Sequence, residues 1–210
     1  MAADRITRTF FQRDPLTCAR EMIGCELVWN GCAGIIVETE AYTATNDEAS
    51  HTFFRPSART FIAEQRAGAA YVYFNYGMYW LLNVLVKGGS EDGFVLFRAL
   101  EPTRGLPAMT ARRSVRRAPP AGSRAATWLC SGPGKLTVAL GIDGRDHGRY
   151  LCADAAVGFR APRRPPAVIA DLRIGISRAA HLPWRFLAEG SPFVSAPPTT
   201  SPRARRGAQR

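Results

Sequence analysis

The chain has 210 residues, 46% of them hydrophobic, enough for one domain with a proper core. Its 28 basic and 17 acidic residues leave a net charge of +11, which favours a polyanionic partner, although a genome rich in Ala, Arg, Gly and Pro codons would produce the same excess. No run approaches the roughly 18–20 apolar residues of a membrane span, the charged start lacks a signal-peptide core, and the five cysteines (18, 25, 32, 130, 152) form no C-x-x-C pair. They read as reduced thiols of a cytoplasmic, unsecreted protein, not as a disulfide frame or a metal site.

Asp14 and Pro15 predict a helix start and Gly24 its stop, with Leu16, Ala19, Met22 and Ile23 on one face. Strands follow at 26–29 and 34–39 across the Asn30-Gly31 turn. Residues 43–68 read as a long polar loop. The clearest strands are 70–74 and 78–87, linked through Asn75-Tyr76-Gly77, with another at 94–99. A helix is expected over 106–113, inside an acid-free, Arg-rich stretch (104–124) that reads as part helix and part mobile loop. A further helix is expected over 135–140, and late strands near 150–152, 172–176 and 185–187. From Ala196 the tail is Pro, Ser, Thr and Arg and reads as disordered.

Residues 35–51 hold the densest chemistry. The buried run Ile35–Val37 passes Glu38, Glu40 and Tyr42 to one strand face by its period of two. His51, one of three histidines, follows nine residues after Tyr42. A carboxylate, a phenol and an imidazole on one strand and its loop suit an aromatic ring and a water activated beside it. A strand end with hydrated carboxylates is the competing reading. The aromatics Tyr71, Tyr73, Tyr76, Tyr79 and Trp80 crowd one hairpin. Tyr76 sits at the turn, where a large ring gains little from burial, so it reads as a wedge between base pairs. Tyr79 and Trp80 read as core. Gly132-Pro133-Gly134-Lys135 lacks the spacing of a phosphate loop. His147 and His181 have no ligand spacing, so no metal is assigned.

The blocks Val37–Tyr42, Asp47–His51, Tyr71–Tyr79, Arg98–Pro102 and Leu129–Pro133, in that order, resemble the alkyladenine (3-methyladenine) DNA glycosylase family. The likeness runs from about Asp14 to Ser195. It implies an α+β fold: one mixed catalytic domain (1–195) around a curved antiparallel sheet with a protruding β-hairpin, and a basic tail (196–210). It further implies no cofactor, a monomer, and a partner of double-stranded DNA containing a damaged purine, which would place the protein at the bacterial nucleoid. Such enzymes flip alkylated or deaminated purines out of the duplex and hydrolyse the base–sugar bond. By the resemblance, Glu40 is the general base, Arg98 helps hold the water and a backbone carbonyl near Ile174 completes its coordination. Tyr42, His51 and Tyr73 wall the flipped base, Asn83 crowds a guanine 2-amino group and backbone near Ala49 reads the purine edge. Tyr76 and Met78 meet DNA at the hairpin tip. The only lysines, Lys87 and Lys135, lie outside the pocket blocks, so no Schiff base is expected and the abasic strand stays intact. The stretches Thr52–Pro56 and Glu64–Gly68 depart from the family pattern, and the Arg-rich segment 112–124 and the tail are additions to it. The alternative from another class is a nucleic-acid-binding module that kept this fold without catalysis.

Overall fold

Asp14 opens the first helix of the computed structural model, which describes residues 5–75, 77–116, 118–122, 124–153 and 156–199. Its Oδ1 accepts the Thr17 N–H at 2.8 Å, and Pro15 occupies the first helical turn, where no N–H is needed. The helix, α1 (Pro15–Glu21), gives way to β1 (Glu26–Trp29) and β2 (Cys32–Thr43). Between these strands Asn30 (φ 45°) and Gly31 (φ 85°) make the left-handed pair that a two-residue hairpin requires.

The long strand β2 organises the sheet. One edge pairs along its length with β5 (Gly93–Arg104). The other edge is shared: residues 32–35 pair with β1, and Glu38–Glu40 pair with β8 (Arg185–Ala188). β3 (Ala70–Asn75) and β4 (Tyr79–Val86) extend the β5 side, β6 (Val157–Arg160) borders β1, and β7 (Val168–Asp171) borders β8. Every pairing is antiparallel, and the curled sheet with its helices forms a single α+β domain.

Alternation along the strands separates two cores. Val72, Leu82, Val84 and Val86 face a large core with Trp29, Phe97 and Phe159. This core is covered by α1, α4 (Leu106–Ser114), α5 (Arg124–Cys130) and α6 (Pro133–Leu140). Tyr71, Leu85 and Phe94 point the opposite way, into a smaller cluster with Ala58, Phe61 and Ile62.

That smaller cluster corrects the expectation of a polar loop over 43–68. The segment contains α2 (His51–Phe54) and α3 (Pro56–Glu64). Ala58, Phe61 and Ile62 have the spacing of one helix face, and Pro56 begins the helix. The late strands also differ. Tyr150 makes only an isolated bridge to Ala69, with β6 following at 157. β7 ends at Asp171, and 172–176 runs on as irregular chain through Gly175 (φ 76°). β5 continues to Arg104, and two arginines of the Arg-rich segment are structural. Arg112 bonds the Ala139 carbonyl at 2.8 Å, and buried Arg113 lies over the Trp128 ring. Beyond Ser195, the Ala196 carbonyl accepts from Arg185 and Thr199 bonds Asp171, so attachment extends past the expected tail boundary.

Phe61 packs against Tyr71, Phe94 and His147 at centroid distances of 5.1, 6.2 and 4.7 Å. Phe61→Ala should lower unfolding free energy by about 3–5 kcal/mol in urea titration, the usual cost of emptying a buried aromatic site. A loss below about 1 kcal/mol would show that α3 contributes little to the fold.

Candidate active site

Two irregularities in the β2–β5 ladder set the site. Between the pairs Ile36↔Leu100 and Glu38↔Ala99, β2 carries one extra residue, Val37. Between Glu38↔Ala99 and Thr39↔Phe97, β5 carries an extra Arg98. A bulge shifts the side-chain phase by one residue. Ile36 and Ala41 therefore both face the large core, and Thr39 bonds the Ala19 carbonyl of α1. Glu38 and Glu40 turn to the opposite side. Strict alternation from Ile36 would have driven both carboxylates into apolar packing.

Both are fully buried. Arg98 donates from Nε to Glu38 Oε1 (2.9 Å) and from Nη1 to Glu40 Oε2 (3.0 Å). Glu38 also accepts from Arg185 Nε (2.8 Å) and from the N–H and hydroxyl of Ser195 (2.5 and 2.8 Å). Arg185 continues to Asp171 at 3.0 Å. The result is an alternating row, Asp171–Arg185–Glu38–Arg98–Glu40, spanning four strands. Glu38 is thus a packed structural carboxylate.

Glu40 accepts three bonds: from Arg98 and the Tyr42 hydroxyl (2.8 Å) at Oε2, and from the Ile174 N–H (2.7 Å) at Oε1. The Ile174 backbone group bonded to the carboxylate is its amide. With two bonds on Oε2 and one on Oε1, the open acceptor position belongs to Oε1. Burial raises the Glu40 pKa above the ordinary 4.5, partly offset by the Arg98 charge and by the Ile174 and Tyr42 bonds. Burial opposes the charge of Arg98 too, but Glu40 and Glu38 hold it more firmly protonated than usual. Burial and the neighbouring Glu40 push the Tyr42 phenol well above its ordinary value.

In front of this row lies a cavity of about 610 Å³. Tyr42, Arg98 and Ile174, the three donors to Glu40, form its inner wall, joined by Ala49, His51, Tyr73 and Asn83. The His51 and Tyr73 rings are 4.2 Å apart, and His51 Nδ1 lies 3.0 Å from the Tyr71 hydroxyl. Burial, then the nearby Arg55 charge, lowers the His51 pKa to about 4, so the imidazole is neutral near pH 7. Asn83 donates to the Tyr71 carbonyl at 3.1 Å, which fixes its amide. The Ala49 N–H donates to Asp47 Oδ1 (3.1 Å), while Asp47 forms a buried pair with Arg173 at 2.6 and 2.8 Å. Arg173 lies over the Tyr42 ring at 4.6 Å.

The sequence-predicted residues Glu40, Arg98, Ile174, Tyr42, Ala49, His51, Tyr73 and Asn83 therefore converge on one place. Met78 stands apart on the hairpin, half exposed, its carbonyl accepting from Arg116 at 2.9 Å. Tyr76 lies outside the described residues. Sequence reading missed Arg185 and Ser195, the partners of Glu38, Asp171, the partner of Arg185, and Arg173, the partner of Asp47. Each comes from the distant segment 171–195, and no local spacing marks it. Among the described residues, no three His, Cys, Asp or Glu side chains gather in a metal-binding group, and no helix is long and apolar enough to cross a membrane.

Comparison with known proteins agrees with this arrangement. The sequence pattern of the methylpurine-DNA glycosylase (MPG) family matches residues 9–192. A Rhizobium etli protein is 46% identical over 190 residues, covering 90% of this chain and 88% of the relative. A Rhodopseudomonas palustris protein is 45% identical over 194 residues (91% and 88%), and an Agrobacterium fabrum protein 43% over 190 (90% and 92%). All three bear the name "Putative 3-methyladenine DNA glycosylase". With the match running through every strand and helix that builds the cavity, the chain belongs to the methylpurine-DNA glycosylase family, the hydrolases that cut damaged bases from DNA.

Proposed function

We propose that this DNA glycosylase takes a damaged purine nucleotide, flipped from duplex DNA, into the 610 Å³ cavity and hydrolyses its N-glycosidic bond, acting as a monomer. The observation that carries this reading is a buried carboxylate, Glu40, standing directly behind a wall of aromatic rings. Tyr42, His51 and Tyr73 supply π faces, which suit both a neutral purine and a cationic alkylated one. Substrates would be of the 3-methyladenine, 7-methylguanine, hypoxanthine and ethenoadenine class. The Asn83 amide, held by the Tyr71 carbonyl, would crowd a guanine 2-amino group and reject the normal base.

A water on the open position of Glu40 Oε1 would lose its proton to the carboxylate as it attacks the anomeric carbon. The Ile174 carbonyl and Arg98 would orient this water, and one displacement would invert the centre. The elevated Glu40 pKa makes it a stronger base than an exposed carboxylate, while Arg98 and the Ile174 amide favour its ionised form. A cationic lesion needs no acid help to leave. No lysine lines the cavity, so the product is an abasic site on an uncut strand. Tyr76 would fill the gap left in the duplex.

The direct test incubates the protein with duplexes containing one ethenoadenine or hypoxanthine, followed by alkali to cut abasic sites. Wild type should release the base and leave the strand whole before alkali. Glu40→Gln should lower release by about 10²–10⁴-fold, the range for a lost general base, with lesion binding kept. A protein that binds these duplexes and releases no base would instead be a binding module.

The acid limb of the pH–rate profile gives a second check. Glu40 must be ionised to act and its pKa is raised, so release of a cationic purine should fall with decreasing pH before an ordinary carboxylate of 4.5 would titrate. His51, neutral down to about pH 4, should add no limb near 6.5. A limb near 6.5 that disappears in His51→Gln would refute the neutral imidazole.

A further inference from the structure

We propose that Arg55 sets the charge preference of the base pocket, favouring neutral purine lesions over cationic N-alkylated ones. This rests on the reading of the cavity as a base pocket. Arg55 lines that cavity, and its guanidinium carbon stands 5.7 Å from the centroid of Tyr73, a wall of the pocket, and 5.7 Å from that of Phe54 at the rim. Its backbone is held on both sides. The Arg55 N–H bonds the His51 carbonyl at 2.7 Å, and Pro56 restricts it to the extended conformation it adopts (φ −115°, ψ 109°). The side chain thus leaves a fixed point between the His51 helix and α3.

The charge of Arg55 is not neutralised locally. Among the described residues its guanidinium has two aromatic faces and neither an ion-pair nor a hydrogen-bond partner. Arg98, the deeper cation of the cavity, is by contrast matched by Glu38 and Glu40. The other charges lining the cavity are Glu48, which is exposed to screening water, and Arg178, which lies over Phe53 at 5.7 Å. The field of Arg55 already reaches the pocket rings, since it lowers the affinity of His51 for a proton. A purine cation between those rings is subject to the same repulsion.

Two effects act in one direction. Like charges about 8 Å apart at an effective dielectric constant of about 30 repel by about 1.4 kcal/mol, a factor of about ten in affinity. The guanidinium's unused N–H groups also offer hydrogen bonds to the oxygen or ring nitrogens of a neutral purine. Such bonds strengthen as that base departs with the electron pair of the broken glycosidic bond and becomes anionic. A cationic purine leaves as a neutral base and gains little from them.

The test measures single-turnover release of hypoxanthine and of 7-methylguanine from otherwise identical duplexes, with the free base quantified by mass spectrometry. Arg55→Gln should lower the hypoxanthine-to-7-methylguanine rate ratio by about tenfold or more. Arg55→Lys, which keeps the charge, should retain most of the wild-type ratio. Urea unfolding midpoints confirm that both variants fold. An unchanged ratio in Arg55→Gln, with both bases released by wild type, overturns the role of Arg55 alone. An equal fall for both bases, with a salt dependence of DNA binding weakened by about one phosphate contact, would make Arg55 a backbone contact and also overturns it. Release of neither base by wild type removes the base-pocket reading, and this role with it.

Discussion

The buried row of alternating charge, Asp171–Arg185–Glu38–Arg98–Glu40, is the constraint around which the molecule is arranged. An ionised carboxylate cannot be removed from water unless cations and N–H groups replace its hydration. Glu40 has that replacement in three bonds, which leave one acceptor position on Oε1 unused. The fold meets the requirement by drawing donors from three places: Arg98 from β5, Tyr42 from the same strand, and the Ile174 amide from the segment after β7. Arg98 is held in turn by Glu38, and Glu38 by Arg185 and Ser195. Ion pairs of this kind contribute little net stability against an apolar core. What they supply is position: each member fixes the rotamer of the next.

The two bulges make this row compatible with a hydrophobic protein. A sheet that buries both faces has no ordinary place for two glutamates two residues apart. The extra residue at Val37 changes the phase of β2, so the same strand packs Ile36 and Ala41 on one face and presents Glu38 and Glu40 on the other. The extra residue at Arg98 occurs opposite, within reach of both carboxylates. The ladder thus gives up, over a short length, the regularity that stability alone would have favoured.

The cavity in front of the row depends on the smaller core. α3 supports Tyr71 and Phe94 from beneath through Phe61, and Tyr71 reaches His51 through its hydroxyl. Asp47 and Arg173, paired in the interior, tie the turn after β2 to the segment after β7 and place a guanidinium behind Tyr42. Pocket walls, carboxylate and support thus come from β2, β3, β4, β5, the helices α2 and α3 and chain near residue 174, arranged around one sheet.

Much of this was legible in the residues themselves. Asp14-Pro15, Asn30-Gly31 and the aromatic strands at 70–87 state their structures locally, because caps, turns and period-two patterns are set by neighbours in sequence. The carboxylate–phenol pair Glu40 and Tyr42 was visible for the same reason. The helix at Pro56–Glu64 was hidden by its polar composition: its apolar face is only Ala58, Phe61 and Ile62. Residues 172–176 had the β-branched look of a strand, yet the chain beyond β7 gives its Ile174 amide to Glu40 instead of to a ladder. The bulges, the partners of Glu38 and the burial of Arg185 had no local signal. Sequence alone determined which chemical groups are present and which strand carries them, since local backbone preference and alternation act over a few residues. Tertiary structure decided which carboxylate is packed and which keeps an acceptor position open, because desolvation and charge pairing depend on segments more than a hundred residues away.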